Sequence, residues 1–180
     1  MTTRVKKPHN SLQVRLDDLL EYEPITKNQE VTYDAWEEDY NLVLTGSAGT
    51  GKTFMGMYLG LEQVLDPDAE QDRLVIIRSM VPTRDMGFLP GTKEEKEDAF
   101  TSPYKNIAAE LFGDNNSWNR ALSTKKIQFE STSFIRGLTL DYSVILVDEM
   151  QNLSFHELDS VITRVGKGSR IIFAGDYLQS

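Results

Sequence analysis

One glycine-rich stretch limits what this chain can fold into more than any other feature of its sequence. Residues 46–53 read Gly-Ser-Ala-Gly-Thr-Gly-Lys-Thr and lie between the apolar run 42–45 and the amphipathic stretch 52–65. Glycines let the backbone curl so that successive N–H groups converge on an anion, and a helix N-terminus adds positive potential there. Because every position and the strand–loop–helix setting match the known pattern, the stretch predicts a phosphate-binding loop.

The residue types in this loop predict how it binds a nucleotide. Lys52 can reach the β- and γ-phosphates of ATP, which gives it a role in both binding and catalysis, and the Thr53 hydroxyl can coordinate Mg²⁺. The predicted ATP-binding residues of the loop are Gly46, Ser47, Ala48, Gly49, Thr50, Gly51, Lys52 and Thr53.

A second motif places two acids after an apolar run. Residues 144–147 read Val-Ile-Leu-Val and are followed by Asp148 and Glu149. We predict that Asp148 holds Mg²⁺ and that Glu149 is catalytic, accepting a proton from the attacking water or orienting it. A water-activating acid favours ATP hydrolysis over a small-molecule kinase, for which we identify neither an acceptor-activating Asp nor a lid.

The apolar runs predict a parallel α/β sheet. Four of them, 42–45, 74–77, 144–147 and 171–173, do not alternate with polar residues, which is typical of strands buried on both faces. Lys126–Ser131 does alternate and is predicted to be an edge strand. Helices are predicted over 52–65, 103–112 and 154–165; the last has a capping box, Ser154 with Glu157, and Gly166 at its C′ position.

Two segments do not follow this alternation of strand and helix. Residues 79–102 contain Gly-Phe-Leu-Pro-Gly and then the charged run Lys93–Asp98, so we expect a long loop whose charged part is solvated and mobile. Residues 1–24 are predicted to be an N-terminal extension, with an amphipathic helix over Ser11–Leu20.

Composition excludes several function classes. The chain of 180 residues contains no cysteine and two histidines, so we exclude disulfide scaffolds, cysteine nucleophiles and zinc fingers, and expect a reducing compartment. No apolar run reaches the ~20 residues of a membrane span, so no membrane partner is expected. The net charge of −9 disfavours strong non-specific binding to duplex DNA.

A local patch could still bind a single strand. Its predicted members are Arg78, Arg84, Phe88, Tyr104 and Lys105. Phe88 or Tyr104 could stack on a base while the arginines hold phosphates. The alternative is that Phe88 and its neighbour Leu89 only anchor the loop on the core.

The fourth strand is followed by Asp176 and Gln179. Carboxyl ends of parallel strands share one edge of a sheet, and ligands bind there. We therefore expect both side chains near the phosphates, with Gln179 sensing the γ-phosphate as a catalytic residue. A polar turn after the strand is the alternative.

Together these motifs identify a resemblance to the PhoH family, in particular to the PhoH-like proteins of tailed phages. The segments that carry the resemblance, in chain order, are Gly46–Thr53, Gly87–Gly91, Phe134–Leu140, Val147–Asn152, Thr163–Gly166 and Gly175–Gln179. The resemblance implies a RecA-like three-layer P-loop NTPase fold over residues 25–180, similar to the first motor domain of superfamily-one helicases. The family pattern continues beyond Ser180, so the domain looks truncated at its C-terminus.

The resemblance also implies roles for residues that bare sequence leaves unassigned. Gln29 would read the adenine of ATP. Arg136 and Arg164 would contact phosphate, nucleic acid or a neighbouring subunit, with a surface salt bridge as the alternative for each. A cytoplasmic location is implied, in the host cytoplasm if a phage encodes the chain.

Two functions remain open at this stage. The first is an ATPase that uses ATP and Mg²⁺, forms a homo-oligomer such as a hexameric ring, and couples hydrolysis to single-stranded nucleic acid, RNA rather than DNA. The second is a non-catalytic nucleotide-binding assembly module. The intact Glu149 favours the first and the apparent truncation favours the second; a turnover assay distinguishes them.

Overall fold

A computed structural model describes residues 13–79 and 93–177 of the chain. The strands are β1 (Leu42–Thr45), β2 (Arg73–Arg78), β3 (Ile127–Ser131), β4 (Ser143–Val147) and β5 (Arg170–Gly175). The helices are α1 (Lys27–Glu37), α2 (Lys52–Leu65), α3 (Lys93–Phe112), α4 (Ser117–Ser123) and α5 (Phe155–Ile162). Short 3₁₀ turns cover Leu16–Asp18 and Met150–Asn152.

The strands form one sheet in the order β1-β5-β4-β2-β3, and every pairing is parallel. The central strand β4 is buried along its whole length, as its unbroken apolar sequence predicts. The alternating strand β3 lies at one edge, which confirms that expectation. All carboxyl ends therefore meet at one edge of the sheet, where the phosphate-binding loop follows β1.

Side chains that alternate along the strands fill two cores, one on each face of the sheet. On one face, Leu74 and Val144 belong to a cluster with residues of α2, α3 and α4. On the other face, Val75 and Ile145 pack in a cluster with Val161 of α5. The sheet thus lies between two layers of helix, and the predicted three-layer α/β fold is confirmed.

Helix α3 corrects the predicted loop over residues 79–102. The helix begins at Lys93, ten residues before the predicted start at 103, and continues through Pro103. Lys and Glu in the charged run are good helix formers, and Phe100 in this part of the helix is buried, with its ring centre 5.7 Å from the Arg78 guanidinium. The predicted strand-binding residues Arg84 and Phe88 lie outside the described residues.

Helix α5 starts as predicted and ends early. Ser154 accepts from Glu157 N and Glu157 Oε2 accepts from Ser154 N, which confirms the capping box. The helix stops at Ile162 instead of Val165, because the chain there turns to pair with residue 140: Leu140 donates to Arg164 O at 3.0 Å. Gly166 is therefore not a C′ residue, and a Cβ at its position would lie 1.9 Å from Asp141 Oδ1.

The N-terminal part of the chain differs from the expectation in two ways. In the described part of Ser11–Leu20 only the 3₁₀ turn Leu16–Asp18 is present, so the predicted helix is wrong there; Ser11 and Leu12 lie outside the described residues. Val14 and Leu19 are buried against the core of α2 and α3. Helices α1 and α4 were not predicted. None of the helices in the described ranges has the length and apolarity needed to cross a bilayer.

Candidate nucleotide-binding site

The phosphate-binding loop joins β1 to α2 as the sequence predicts. Gly49 and Gly51 have φ values of 77° and 80°, a left-handed conformation that L side chains rarely adopt. Helix α2 begins directly afterwards at Lys52. The loop thus brings backbone N–H groups and the N-terminus of a fourteen-residue helix together, which is the arrangement that binds anions.

The Lys52 ammonium folds back over the loop. Its Nζ donates to Gly46 O at 2.9 Å and to Ser47 O at 2.7 Å, while Thr50 Oγ1 also donates to Ser47 O at 2.8 Å. These bonds hold the loop closed on itself and keep a positive charge at the position where phosphates would approach.

Thr53 and Asp148, the two predicted metal ligands, are in direct contact. Thr53 Oγ1 donates to Asp148 Oδ1 at 2.9 Å across the junction of α2 and β4. Tyr104 of α3 donates its hydroxyl to the other oxygen, Asp148 Oδ2, at 2.8 Å. Both oxygens of this buried carboxylate therefore accept a hydrogen bond.

Tyr104 corrects a prediction. The sequence placed it in an exposed patch that stacks on bases, but its side chain is fully buried (0% exposed), so it cannot stack on a base in this structure. Burial, and then the nearby Asp148 carboxylate, raise the pKa of Tyr104 far above its ordinary value. The hydroxyl is thus a neutral donor throughout the physiological pH range. Sequence offered no signal for this contact, because the two residues lie 44 positions apart.

Two other members of the predicted patch also make intramolecular contacts. The Arg78 guanidinium lies 5.7 Å from the centre of the Phe100 ring. Lys105 forms an ion pair with Asp98. Arg78 and Lys105 thus each contact a residue of α3.

Glu149 stands at the mouth of the site in a strained backbone conformation, with φ 51°. Gln151 Nε2 donates to Glu149 Oε2 at 2.5 Å, and Gln151 Oε1 accepts from Asp176 N at 3.0 Å. The Gln151 amide thereby ties the end of β4 to the end of β5.

These groups surround one cleft of about 340 Å³. Its lining residues are Ala48, Gly49, Gly51, Lys52, Thr53, Phe54, Ile107, Asp148, Glu149, Gly175 and Asp176. The cleft brings together most of the predicted loop, both predicted metal ligands, the predicted acid and Asp176. Phe54 and Ile107 supply an apolar wall that the sequence did not assign to the site.

Other predicted site residues lie elsewhere. Gln29 is in the first turn of α1, where its Oε1 accepts from Ile25 N at 2.8 Å, and it does not line the cleft. Gln179 lies outside the described residues. Exposed Arg136 lines a second pocket with Thr132, Ser133, Glu157 and Ser160. Arg164 is half-buried, and its Nε has no hydrogen-bond partner among the described residues.

The oxygen donors at the cleft fit Mg²⁺. A hydroxyl from Thr53 and a carboxylate from Asp148 are hard ligands, and Mg²⁺ typically binds one or two carboxylates together with substrate phosphates. No group of three or more His, Cys, Asp or Glu within the described ranges could hold a metal ion alone. Thr53 and Asp148 are ligands of the kind that hold Mg²⁺ together with substrate phosphates.

Comparison with known families adds to this geometry. The family described as "PhoH-like protein" matches residues 21–180 of the chain. The chain belongs to this family. Protein PhoH2 of Bacillus subtilis is 39% identical over 146 residues, which cover 77% of the chain and 32% of that protein. A PhoH-like protein of Synechocystis is 36% identical over 141 residues, covering 75% of the chain and 40% of that protein.

The PhoH family members matched here are longer than this chain. A PhoH-like protein of Mycobacterium leprae is 31% identical over 87% of the chain but only 44% of its own length. Among solved structures, the Sulfolobus solfataricus SWI2/SNF2 ATPase core in complex with dsDNA aligns with a TM-score of 0.52 and 14% identity, over 90% of the chain and 35% of that protein. This likeness supports the RecA-like P-loop fold.

Proposed function

We propose that this chain is a P-loop ATPase of the PhoH family that binds ATP with Mg²⁺ in the cleft beside Lys52. The observation that carries the proposal is the contact between Thr53 Oγ1 and Asp148 Oδ1 at 2.9 Å, beneath a glycine loop of the required form. A hydroxyl and a carboxylate brought together at a helix N-terminus suit a cation that accompanies phosphate.

Each residue of the site has a proposed task. The loop N–H groups bind the phosphates, and Lys52 exchanges its carbonyl acceptors for phosphate oxygens. Thr53 and Asp148 hold Mg²⁺, which neutralises phosphate charge when bound. Glu149, oriented by Gln151 at 2.5 Å, accepts a proton from the attacking water.

The proposed roles of residues outside the cleft come from the family pattern and not from the geometry of the cleft. Gln179 as a γ-phosphate sensor and Gln29 as an adenine contact follow from the family pattern. We also propose that residues 25–180 form a single RecA-like ATP-binding domain and that residues 1–24 precede it as an extension. A homo-oligomer would allow Arg136 or Arg164 to act on the nucleotide of a neighbouring subunit.

We further propose that hydrolysis is coupled to single-stranded nucleic acid, with RNA preferred over DNA. The family resemblance to superfamily-one motor domains supports this. The net charge of −9 weighs against tight non-specific binding to duplexes. The experiment is ATP turnover by the purified chain, with and without Mg²⁺ chelation, in the presence of single-stranded RNA, single-stranded DNA or neither.

The results separate the two candidate functions. Mg²⁺-dependent turnover supports the ATPase, and stimulation by a single strand supports the coupling. ATP binding without turnover, under conditions where the chain is folded, would favour the non-catalytic assembly module. Absence of ATP binding would overturn both.

A further inference from the structure

Helix α3 reaches the nucleotide site at two positions. Ile107 lines the cleft itself. Tyr104, one turn earlier on the same helix, lies behind Asp148 and donates to its Oδ2 atom at 2.8 Å. Residues three apart on a helix share a face, so one face of α3 contacts both the cleft wall and the carboxylate.

The Tyr104 ring is fixed by aromatic neighbours. Trp118 of α4 stacks on it with ring centres 6.3 Å apart and an interplanar angle of 20°. Phe129 of β3 lies 5.6 Å away, centre to centre. The side chain is fully buried and packed against these rings, which fixes its hydroxyl beside the Asp148 carboxylate and the Arg78 guanidinium, and it donates to Asp148.

We propose that Tyr104 is the positioning residue of the cation site, and that it connects the state of Asp148 to helices α3 and α4. The proposal deepens the proposed function and rests on it. With Thr53 on one oxygen and Tyr104 on the other, the Asp148 carboxylate has one defined orientation. Partners of this kind, which orient a metal ligand without touching the metal, typically change metal affinity or activity by ~10–100-fold when removed.

The connection to α4 follows from the stacking. A cation held at Asp148 would alter the charge that the Tyr104 hydroxyl meets, and the Tyr104 ring lies against Trp118. We therefore expect a change in the Tyr104 hydrogen bond to alter the surroundings of Trp118, which its fluorescence would report. Trp36, the other of the two tryptophans in the chain, packs under Arg170 at 3.3 Å from the guanidinium carbon and is not part of this aromatic cluster.

The first experiment compares Tyr104→Phe with the matched control Tyr58→Phe. Tyr58 is also a buried tyrosine of the same core, but its hydroxyl bonds to Glu62 and the backbone of Tyr22 and does not contact Asp148. The readout is binding of a fluorescent ATP analogue by anisotropy, at a series of Mg²⁺ concentrations and in EDTA. We expect Tyr104→Phe to raise by roughly 10-fold the Mg²⁺ concentration at which Mg²⁺ half-maximally increases binding of the ATP analogue. Its affinity for the analogue in EDTA should equal that of the wild type. Tyr58→Phe should match the wild type in both measurements.

The second experiment follows the fluorescence of Trp118, and its first comparison needs no Tyr104 variant. In Trp36→Phe protein, Trp118 is the remaining tryptophan. We expect its emission to change when ATP is added with Mg²⁺ but not with EDTA, and this response to be lost when Tyr104→Phe is added.

The outcomes are distinguishable. If the wild type does not bind the ATP analogue, the proposed function and this inference both fail. If it binds with normal Mg²⁺ enhancement, but Tyr104→Phe shows the same Mg²⁺ dependence as Tyr58→Phe, only the inference is overturned. An unchanged Trp118 emission under Mg²⁺ and ATP would likewise overturn the connection to α4.

Discussion

Thr53 Oγ1 lies 2.9 Å from Asp148 Oδ1, although the two residues are 95 positions apart in the chain. The contact forms because α2 starts directly after the glycine loop and β4 ends at the same edge of the sheet. Two motifs that are separate in sequence thus become one site. The loop motif supplies groups for an anion and the β4 motif supplies groups for a cation, which together suit a metal-bound polyphosphate.

The first prediction concerns ATP affinity. Lys52→Ala removes a charge-assisted contact to phosphate, worth roughly 1.5–3 kcal/mol, so we expect ATP affinity to fall by about 10–100-fold. Calorimetric titration with a slowly hydrolysed ATP analogue measures it. Lys167→Ala is the control. Lys167 precedes β5, at the amino ends of the strands and away from the cleft, and its ammonium lies over the Tyr142 ring. Equal affinity in both variants would contradict the assignment of Lys52.

The second prediction separates binding from hydrolysis. Glu149→Gln removes the proposed proton acceptor while keeping its size, so we expect ATP binding to persist and turnover to fall by ~10²–10⁴. Phosphate release and analogue binding are measured on the same preparation. The exposed Glu37→Gln, at the end of α1, should behave as wild type in both assays. Wild-type turnover in Glu149→Gln would show that another group activates the water.

Much of the fold and part of the site could be predicted from the sequence, for identifiable physical reasons. Strand β1 and helix α2 have the predicted ends, because an apolar run, a glycine loop and the pair Asp66-Pro67 mark them in the sequence. The start of α3 could not be predicted, because its charged run lacks an apolar period. Local sequence also carries no record of which side chains meet across the fold, and the contact of Tyr104 with Asp148 is of that kind.

The third prediction concerns stability at acid pH. Burial alone would raise the pKa of the Glu157 carboxyl, but hydrogen bonds from Thr132, Ser154 and Ser79 outweigh it and hold the pKa below its ordinary value. A lowered folded-state pKa means that the carboxylate stabilises the fold above its unfolded pKa, about 4.3, and that this contribution is lost as the pH falls through the folded value.

The measurement is urea unfolding of the wild type and Glu157→Gln between pH 7 and pH 3. We expect the wild type to be more stable at pH 7 and the difference to shrink below about pH 4.3. The exposed Glu37→Gln should show a difference near zero at every pH. A Glu157→Gln difference that is constant with pH would exclude the ionised carboxylate as the source of the stabilisation.

The fourth prediction concerns assembly. The described residues that line the cleft include no arginine, and an arginine that acts on phosphate can contribute ~10³–10⁵ in rate. If Arg136 or Arg164 of a neighbouring subunit supplies this group, specific activity rises with protein concentration. Arg136→Ala or Arg164→Ala, whichever loses activity, should regain it when mixed with Lys52→Ala. The arginine variant then binds ATP, and the Lys52→Ala subunit supplies the arginine. Constant specific activity across the monomer–oligomer range would exclude action between subunits.

The last prediction concerns the nucleic-acid partner. It uses Arg84, a cation of the patch predicted from sequence. Since Tyr104 is buried and the Arg78 guanidinium packs on the Phe100 ring, we expect a strand that uses this patch to depend on Arg84 and to make few phosphate contacts in all. We therefore expect single-stranded RNA to stimulate ATP turnover with a shallow dependence on salt. Replacing one phosphate-binding arginine should lower the slope against log salt concentration by about 0.7 for a single strand. Arg84→Ala should show this loss with unchanged ATP affinity, and Lys167→Ala should keep the wild-type slope.

If Arg84→Ala keeps that slope while RNA still stimulates the wild type, the strand binds another surface. If neither RNA nor DNA stimulates the wild type at low salt, turnover is not coupled to a nucleic acid in this chain.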